Sequence, residues 1–237
     1  MNKIYCETFA LRTSDFDCRG QIKPSSVLDL FQEVAGAHAN ELGIGFEALL
    51  KNNLLWVLVK VKFEIEKEIK EHQRVVVKTW PLPAGRVTLQ REYLIEDMVG
   101  NTLVKGSSEW VTIDSIKRRI VIPTNIYPLE EYCEERMFEE KFVKVPDFTS
   151  ENAVCEIIPA FCDLDRNGHV NNIRYADYVL NALEMHKHTI RNFQIDFHRE
   201  IQKGNRVSLF LQQNQDGVLA KGISEGGEKM FSCAIGF

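Results

Sequence analysis

The sequence contains no uninterrupted apolar run near the roughly 20 residues that a membrane-spanning helix requires. Its opening stretch, MNKIYCETFALRTSDFD, lacks the apolar core of a secretory leader, so a soluble, cytoplasmic setting with no membrane partner is expected. No CxxC pair and no zinc-ligand spacing occurs among Cys6, Cys18, Cys133, Cys155, Cys162 and Cys233, which in that setting read as reduced thiols. Positive charge is not in excess: 29 Lys and Arg against 34 Asp and Glu leave a net charge of −5, which argues against nucleic acid as the main partner. What is present is a globular composition, 44% hydrophobic over 237 residues, enough for one large domain or two of ordinary size.

The densest polar stretch runs from Asp163 to Tyr178, DLDRNGHVNNIRYADY, and passes directly into an apolar helix pattern at Ile173, Ala176, Leu180 and Leu183. Asn171 and Asn172 are favoured N-cap residues. The expected form is a polar loop that delivers Asp165, Asn167 and His169 to the start of a buried helix. Backbone N–H groups near Val170, at such a start, are suited to stabilising an oxyanion in acyl transfer.

In chain order, residues 4–13 alternate like a strand. Ser26 with Asp29 resembles a capping box that introduces a mostly buried helix through Val27, Leu30, Phe31, Val34, Ala37 and His38. Strands are expected at 56–65, 73–80, 86–97 and 103–114, where Val, Ile, Thr and aromatic residues concentrate between polar turns. The sequence from Pro123 to Pro146, with Glu130, Glu131, Glu134, Glu135, Glu139 and Glu140, reads as a solvated, partly helical linker.

Beyond the linker the first half recurs. Aligning Asp15–Ile22 with Asp163–Val170 places Asp15, Asp17 and Gly20 on identical residues, and Glu68-Ile69 then matches Glu200-Ile201. Strands at 193–197, 206–213, 218–225 and 229–237 complete the second copy. Two copies of a helix-in-sheet unit give the pattern of a fused dimer, an α+β fold. Where the second copy carries Asn167 and His169, the first has Arg19 and Gln21, so one site per chain is expected.

The DxNxHVNN pattern followed by a helix with Tyr175 resembles the motif of the acyl-acyl carrier protein (acyl-ACP) thioesterases, and QREYLIED, WVTIDSIKRRIVIP and FHREI extend the likeness over nearly the whole chain. The resemblance implies a double, tandem hotdog: an N-terminal hotdog at 1–125 for acyl-chain binding, a charged linker at 126–152 and a C-terminal hotdog at 153–237 that carries catalysis. It also implies a catalytic set of Asp165, Asn167, His169 and Glu200, acting on the thioester of a fatty acyl-ACP without metal or organic cofactor.

In that chemistry Glu200 is the expected general base, with Asn167 and His169 orienting the water and the thioester and Asp165 fixing the His tautomer and holding the loop. Plant members have a cysteine after the matching Glu; here the position is Ile201, so attack by water is favoured over a covalent acyl-enzyme. The alternatives are a hotdog acyl-CoA thioesterase and a non-catalytic acyl- or carrier-binding module; a dehydratase lacks its His-Phe-Pro type of motif.

Acyl carrier protein is acidic, so Lys117, Arg118 and Arg119 are the leading docking candidates, followed by Arg86, Arg91, Lys203 and Arg206. Trp56, Trp80, Phe63, Leu28, Phe31 and Val34 are candidates for an acyl tunnel, with core packing the commoner role for such residues. His38, His72, His186, His188 and His198 show no ligand spacing, and His186 and His188 suit a helix C-terminus. A fused pair already buries the surface a single copy would use to dimerise, which leaves monomer and homodimer both open.

Overall fold

The structure, a computed structural model, describes residues 3–122, 132–183 and 188–237. It divides into two compact units, Met1–Lys141 and Phe142–Phe237. His186, Glu130 and Glu131 lie outside the described residues.

In the first unit, strand β1 (Tyr5–Ala10) leads through a 3-10 turn at Thr13–Asp15 to helix α1 (Pro24–Glu41) and the short α2 (Phe46–Leu50). Strands β2 (Leu54–Ile65), β3 (Arg74–Pro81), β4 (Thr88–Asp97), β5 (Thr102–Asp114) and β6 (Arg119–Val121) follow. They form an antiparallel sheet in the order β1-β3-β4-β5-β2, with β6 paired to β5. Helix α1 packs against β3 and β1, burying Val27, Leu28, Phe31 and Val34. Phe31 stacks on Tyr93 at 4.2 Å and meets Phe63 edge-on at 6.3 Å, so these rings fill the core. The helix starts two residues before Ser26: Pro24 occupies its first turn, where the missing N–H costs nothing, and Lys23 takes the cap position without a side-chain bond. Ser26 and Asp29 therefore do not form the expected capping box.

The second unit begins with the short β7 (Cys155–Ile157) and a 3-10 turn at Phe161–Asp163, then helix α3 (Asn172–Asn181). Strands β8 (Asn192–Phe197), β9 (Val207–Gln213), β10 (Gly217–Ser224) and β11 (Lys229–Gly236) form a sheet in the order β8-β11-β10-β9-β7. The alternation along β10 buries Val218, Ala220 and Gly222 on one face, the period-two pattern of a half-buried strand. Strands β6 and β7, three residues each, were too short to carry a periodic signal.

The described part of the linker, 132–150, contains no helix, contrary to expectation. It is extended chain bonded to each sheet in turn. In the first unit the Trp80 indole N–H donates to the Glu135 carbonyl (2.8 Å), the Met137 N–H donates to the Glu92 carboxylate (3.0 Å), and the Lys62 ammonium lies 4.0 Å from the Phe138 ring. In the second unit Val145 N–H donates to Asp196 (3.0 Å), Gln194 donates to the Val143 carbonyl (2.7 Å), and Lys221 lies over Phe148. Glu92 and Asp196 are both buried sheet carboxylates whose acceptor capacity is met partly by the strap's backbone, which is why the strap is extended: helical N–H groups would be consumed internally.

Candidate active site

The loop Asp163–Val170 is built around one carboxylate. Asp165 Oδ1 accepts hydrogen bonds from the backbone N–H groups of Asn167 (2.8 Å) and His169 (3.1 Å). The Asp165 N–H donates to the His169 carbonyl (2.7 Å), and Gly168 N–H donates to the Asp165 carbonyl (3.1 Å). Gly168 adopts φ +77°, a left-handed conformation that a residue with a Cβ enters at a cost, so the glycine is required by the turn. Leu164 bridges Val170, and the Asn171 side chain then caps α3 by accepting from Ile173 N–H at 3.1 Å.

The segment after β8 lies alongside this loop. His169 forms a bridge with Gln202, and Val170 N–H donates to the Ile201 carbonyl at 2.8 Å. This pairing brings the His169 ring to Glu200, with Nε2 3.4 Å from Oε2. Both side chains are partly open to solvent, at 23% and 34% exposure, so the pair is reachable by water while sitting on a rigid frame. Asn167, two residues before His169, is exposed, its amide 3.4 Å from Asp165 Oδ2. All four expected site residues thus lie on two adjoining segments of the second unit.

The geometry bears on two expected roles. Of the N–H groups near Val170, that of Val170 itself donates to the Ile201 carbonyl. The Asp165 carboxylate takes the backbone N–H of His169 rather than its ring, whose partner is Glu200; Asp165 therefore holds the loop, and Glu200 orients the imidazole. Pairing of the loop with a segment some 30 residues on was what the sequence left unresolved.

The sequence pattern of the Acyl-ACP thioesterase N-terminal domain matches residues 2–129, and that of the Acyl-ACP thioesterase C-terminal domain matches residues 148–234. The chain belongs to the acyl-ACP thioesterase family. Within this family it is 27% identical over 214 residues to the chloroplastic palmitoyl-acyl carrier protein thioesterase of Arabidopsis thaliana, a match covering 83% of this chain and 52% of that protein. It is 24% identical to the chloroplastic oleoyl-acyl carrier protein thioesterase of Coriandrum sativum, over 94% of this chain and 67% of that one. The chain spans about half the length of the Arabidopsis relative.

Among solved structures, an acyl-ACP thioesterase from Bacteroides thetaiotaomicron superimposes with a TM-score of 0.92 at 24% identity, covering 99% of this chain and 98% of that one. The 12:0-ACP thioesterase from Umbellularia californica superimposes with a TM-score of 0.89 at 20% identity, covering 100% and 97%. These likenesses give this acyl-ACP thioesterase family member its fold, the α+β tandem hotdog that the family resemblance implied.

The remaining candidates are sorted by burial. Arg91 is buried, donating to Thr79 Oγ1 (3.2 Å) and lying 3.1 Å from His38 Nδ1, so it is interior and cannot dock a partner. Arg206 is ion-paired with Glu156. Lys117 and Arg118 lie in the exposed β5–β6 turn and the exposed Arg119 opens β6, flanked by the exposed Ile116 and Ile120. Of the tunnel candidates, Leu28, Phe31, Val34, Phe63 and Trp80 are fully packed, while Trp56 is half-buried with its indole N–H on the Ile44 carbonyl. His188 lies beyond the described end of α3 and stacks on Phe237 at 4.1 Å. Among the described residues no cluster of three or more His, Cys, Asp or Glu could hold a metal ion, and no helix is long and apolar enough to cross a membrane.

One contributor was noticed in the sequence only as part of a motif. The Tyr175 hydroxyl accepts a hydrogen bond from Ile201 N–H at 3.2 Å, and its ring sits edge-on to both Phe197 and Phe231. Burial drives the pKa of this hydroxyl up, the Ile201 N–H opposes, and the charges of Glu200 and Asp165 add to the rise, so the group stays neutral.

Proposed function

We propose that the chain hydrolyses the thioester of a fatty acyl-acyl carrier protein to free fatty acid and carrier protein, in the cytoplasm, by attack of an activated water. The observation that carries this reading is the approach of His169 Nε2 to Glu200 Oε2 at 3.4 Å, with Asn167 two residues before His169, in a member of the family. In this reading Glu200 takes the proton from the attacking water and His169 supplies one to the departing thiolate. The Asn167 amide has a second N–H to offer the polarised carbonyl, a role left open by the commitment of the Val170 N–H. Asp165 contributes by holding the loop through two backbone N–H groups. Ile201 offers no nucleophile, which favours direct attack by water.

We assign residues 1–125 to acyl-chain binding, 126–152 to the linker and 153–237 to catalysis. The relatives from Arabidopsis and Coriandrum carry carrier-protein substrates in their names, which supports an acidic carrier protein as the partner here. The exposed run Lys117-Arg118-Arg119 is its proposed contact, because these three consecutive residues are the densest basic cluster on a chain of net charge −5. The test is release of free thiol from acyl-ACPs of several chain lengths beside the matching acyl-CoAs. Hydrolysis confined to the carrier esters is expected. Preference for CoA esters would move the chain to a different thioesterase class, and turnover of neither would make it a binding module.

A further inference from the structure

We infer that Tyr175 is a positioning residue for Glu200, acting through the Ile201 peptide. This rests on the reading of Glu200 and His169 as the reacting pair. The peptide that joins Glu200 to Ile201 is held through its N–H, which donates to the Tyr175 hydroxyl at 3.2 Å, and the next peptide is held through the Ile201 carbonyl, which accepts from Val170 N–H at 2.8 Å. The Ile201 side chain is fully buried, which removes the remaining freedom of the segment. Fixing that peptide plane sets the backbone dihedral that aims the Glu200 side chain, and hence the 3.4 Å separation from His169.

The hydroxyl is itself immobile. The Tyr175 ring is 2% exposed and is held edge-on by Phe197 of β8 at 5.1 Å and Phe231 of β11 at 5.3 Å. A side chain so gripped delivers its oxygen to one place, which is what a support for a reacting carboxylate needs.

The first copy supplies the contrast. It keeps an acid followed by a buried Ile, Glu68-Ile69, but Val27 stands at the spacing from Asp17 (17 to 27) that Tyr175 has from Asp165 (165 to 175). Packing alone is satisfied there by an aliphatic residue; the hydroxyl occurs only in the copy that also has Asn167 and His169.

The experiment compares kcat and KM on acyl-ACP for the wild type, Tyr175→Phe, Glu200→Gln, the double variant, and His169→Ala. Tyr175→Phe should lower kcat about tenfold with KM within about twofold, the signature of a lost transition-state interaction rather than lost binding. In the Glu200→Gln background it should cause no further loss, because it acts through that residue. Wild-type kcat for Tyr175→Phe, or a full independent loss on top of Glu200→Gln, overturns the inference. Wild-type rates in both Glu200→Gln and His169→Ala would instead overturn the underlying reading of the site. If Tyr175→Phe does not fold, 3,5-difluorotyrosine at position 175 keeps the shape and weakens the oxygen as an acceptor. A partial loss of kcat then supports the inference, and an unchanged kcat overturns it.

Discussion

The loops Asp15–Ile22 and Asp163–Val170 have nearly the same backbone and different side chains. Asp17 Oδ1 accepts from Arg19 N–H (2.8 Å) and Gln21 N–H (3.0 Å), as Asp165 Oδ1 accepts from Asn167 N–H and His169 N–H. Gly20 has φ +75° and Gly168 has φ +77°, and Phe16 bridges Ile22 as Leu164 bridges Val170. In the first loop the Arg19 guanidinium folds back on Asp17 at 2.6 Å, closing the loop on itself. In the second, Asn167 keeps only a long amide contact to Asp165 Oδ2 (3.4 Å), and the His169 ring turns to Glu200 instead. The Asp and Gly therefore build the turn, and the residues on either side of the glycine decide whether the turn carries chemistry.

The largest effect that would test this division is at the acids. Glu200→Ala should lower kcat by roughly two to four orders of magnitude, the range for acid-base groups, while Glu68→Ala stays within about threefold. Comparable losses from both would erase the asymmetry between the copies. At the glycines, Gly168→Ala and Gly20→Ala should each destabilise by about 1–2 kcal/mol in urea unfolding, since both force a Cβ into left-handed backbone. Only Gly168→Ala should also slow turnover; an equal kinetic effect from Gly20→Ala would mean the first loop is part of the site.

Glu92 sharpens the comparison from outside the loops. Burial raises its pKa, with the bonds from Met137 N–H and Ser107 opposing. The folded state thus holds this proton more tightly, and its contribution to stability is full below the ordinary carboxyl value of 4.5 and lost as pH rises through the raised folded value. The Tm of Glu92→Gln should therefore gain on wild type as pH rises above 4.5, with kcat unchanged; a Tm difference independent of pH would contradict the assignment.

The smallest effect concerns Asp17. Burial alone would raise its pKa, but the bonds from Arg19 and from the Gln21 and Arg19 N–H groups outweigh it and leave the value lowered. Its stabilisation is present above 3.8 and lost as pH falls through the lowered folded value. Arg19→Ala should cost below about 1 kcal/mol at pH 7 and flatten the acid limb of the stability curve.

The strands were legible because their period-two burial survives in the sequence, as along Val75, Val77 and Thr79 of β3. The polar loop was legible because so many side chains able to cap and hydrogen-bond fall together before an apolar helix. The doubling was legible from Asp17-x-x-Gly20 and Asp165-x-x-Gly168 together. The linker was misread because charged residue types suggest solvent, whereas its ordering comes from backbone groups that meet Glu92 and Asp196, 45 and 51 residues away in sequence. Arg91 failed for a related reason: a charged type on a strand reads as outward, and only the fold places it against His38 and Thr79. The support from Tyr175 to Ile201 joins residues 26 apart, a pairing that no local pattern announces.

The central claim, that one of two nearly identical loops carries the reaction, is tested most directly by thiol release from acyl-ACP with His169→Ala and Gln21→Ala beside the wild type. The account predicts that Gln21→Ala keeps the wild-type rate while His169→Ala loses about two orders of magnitude or more. Equal losses in the two variants, or none in either, would contradict it.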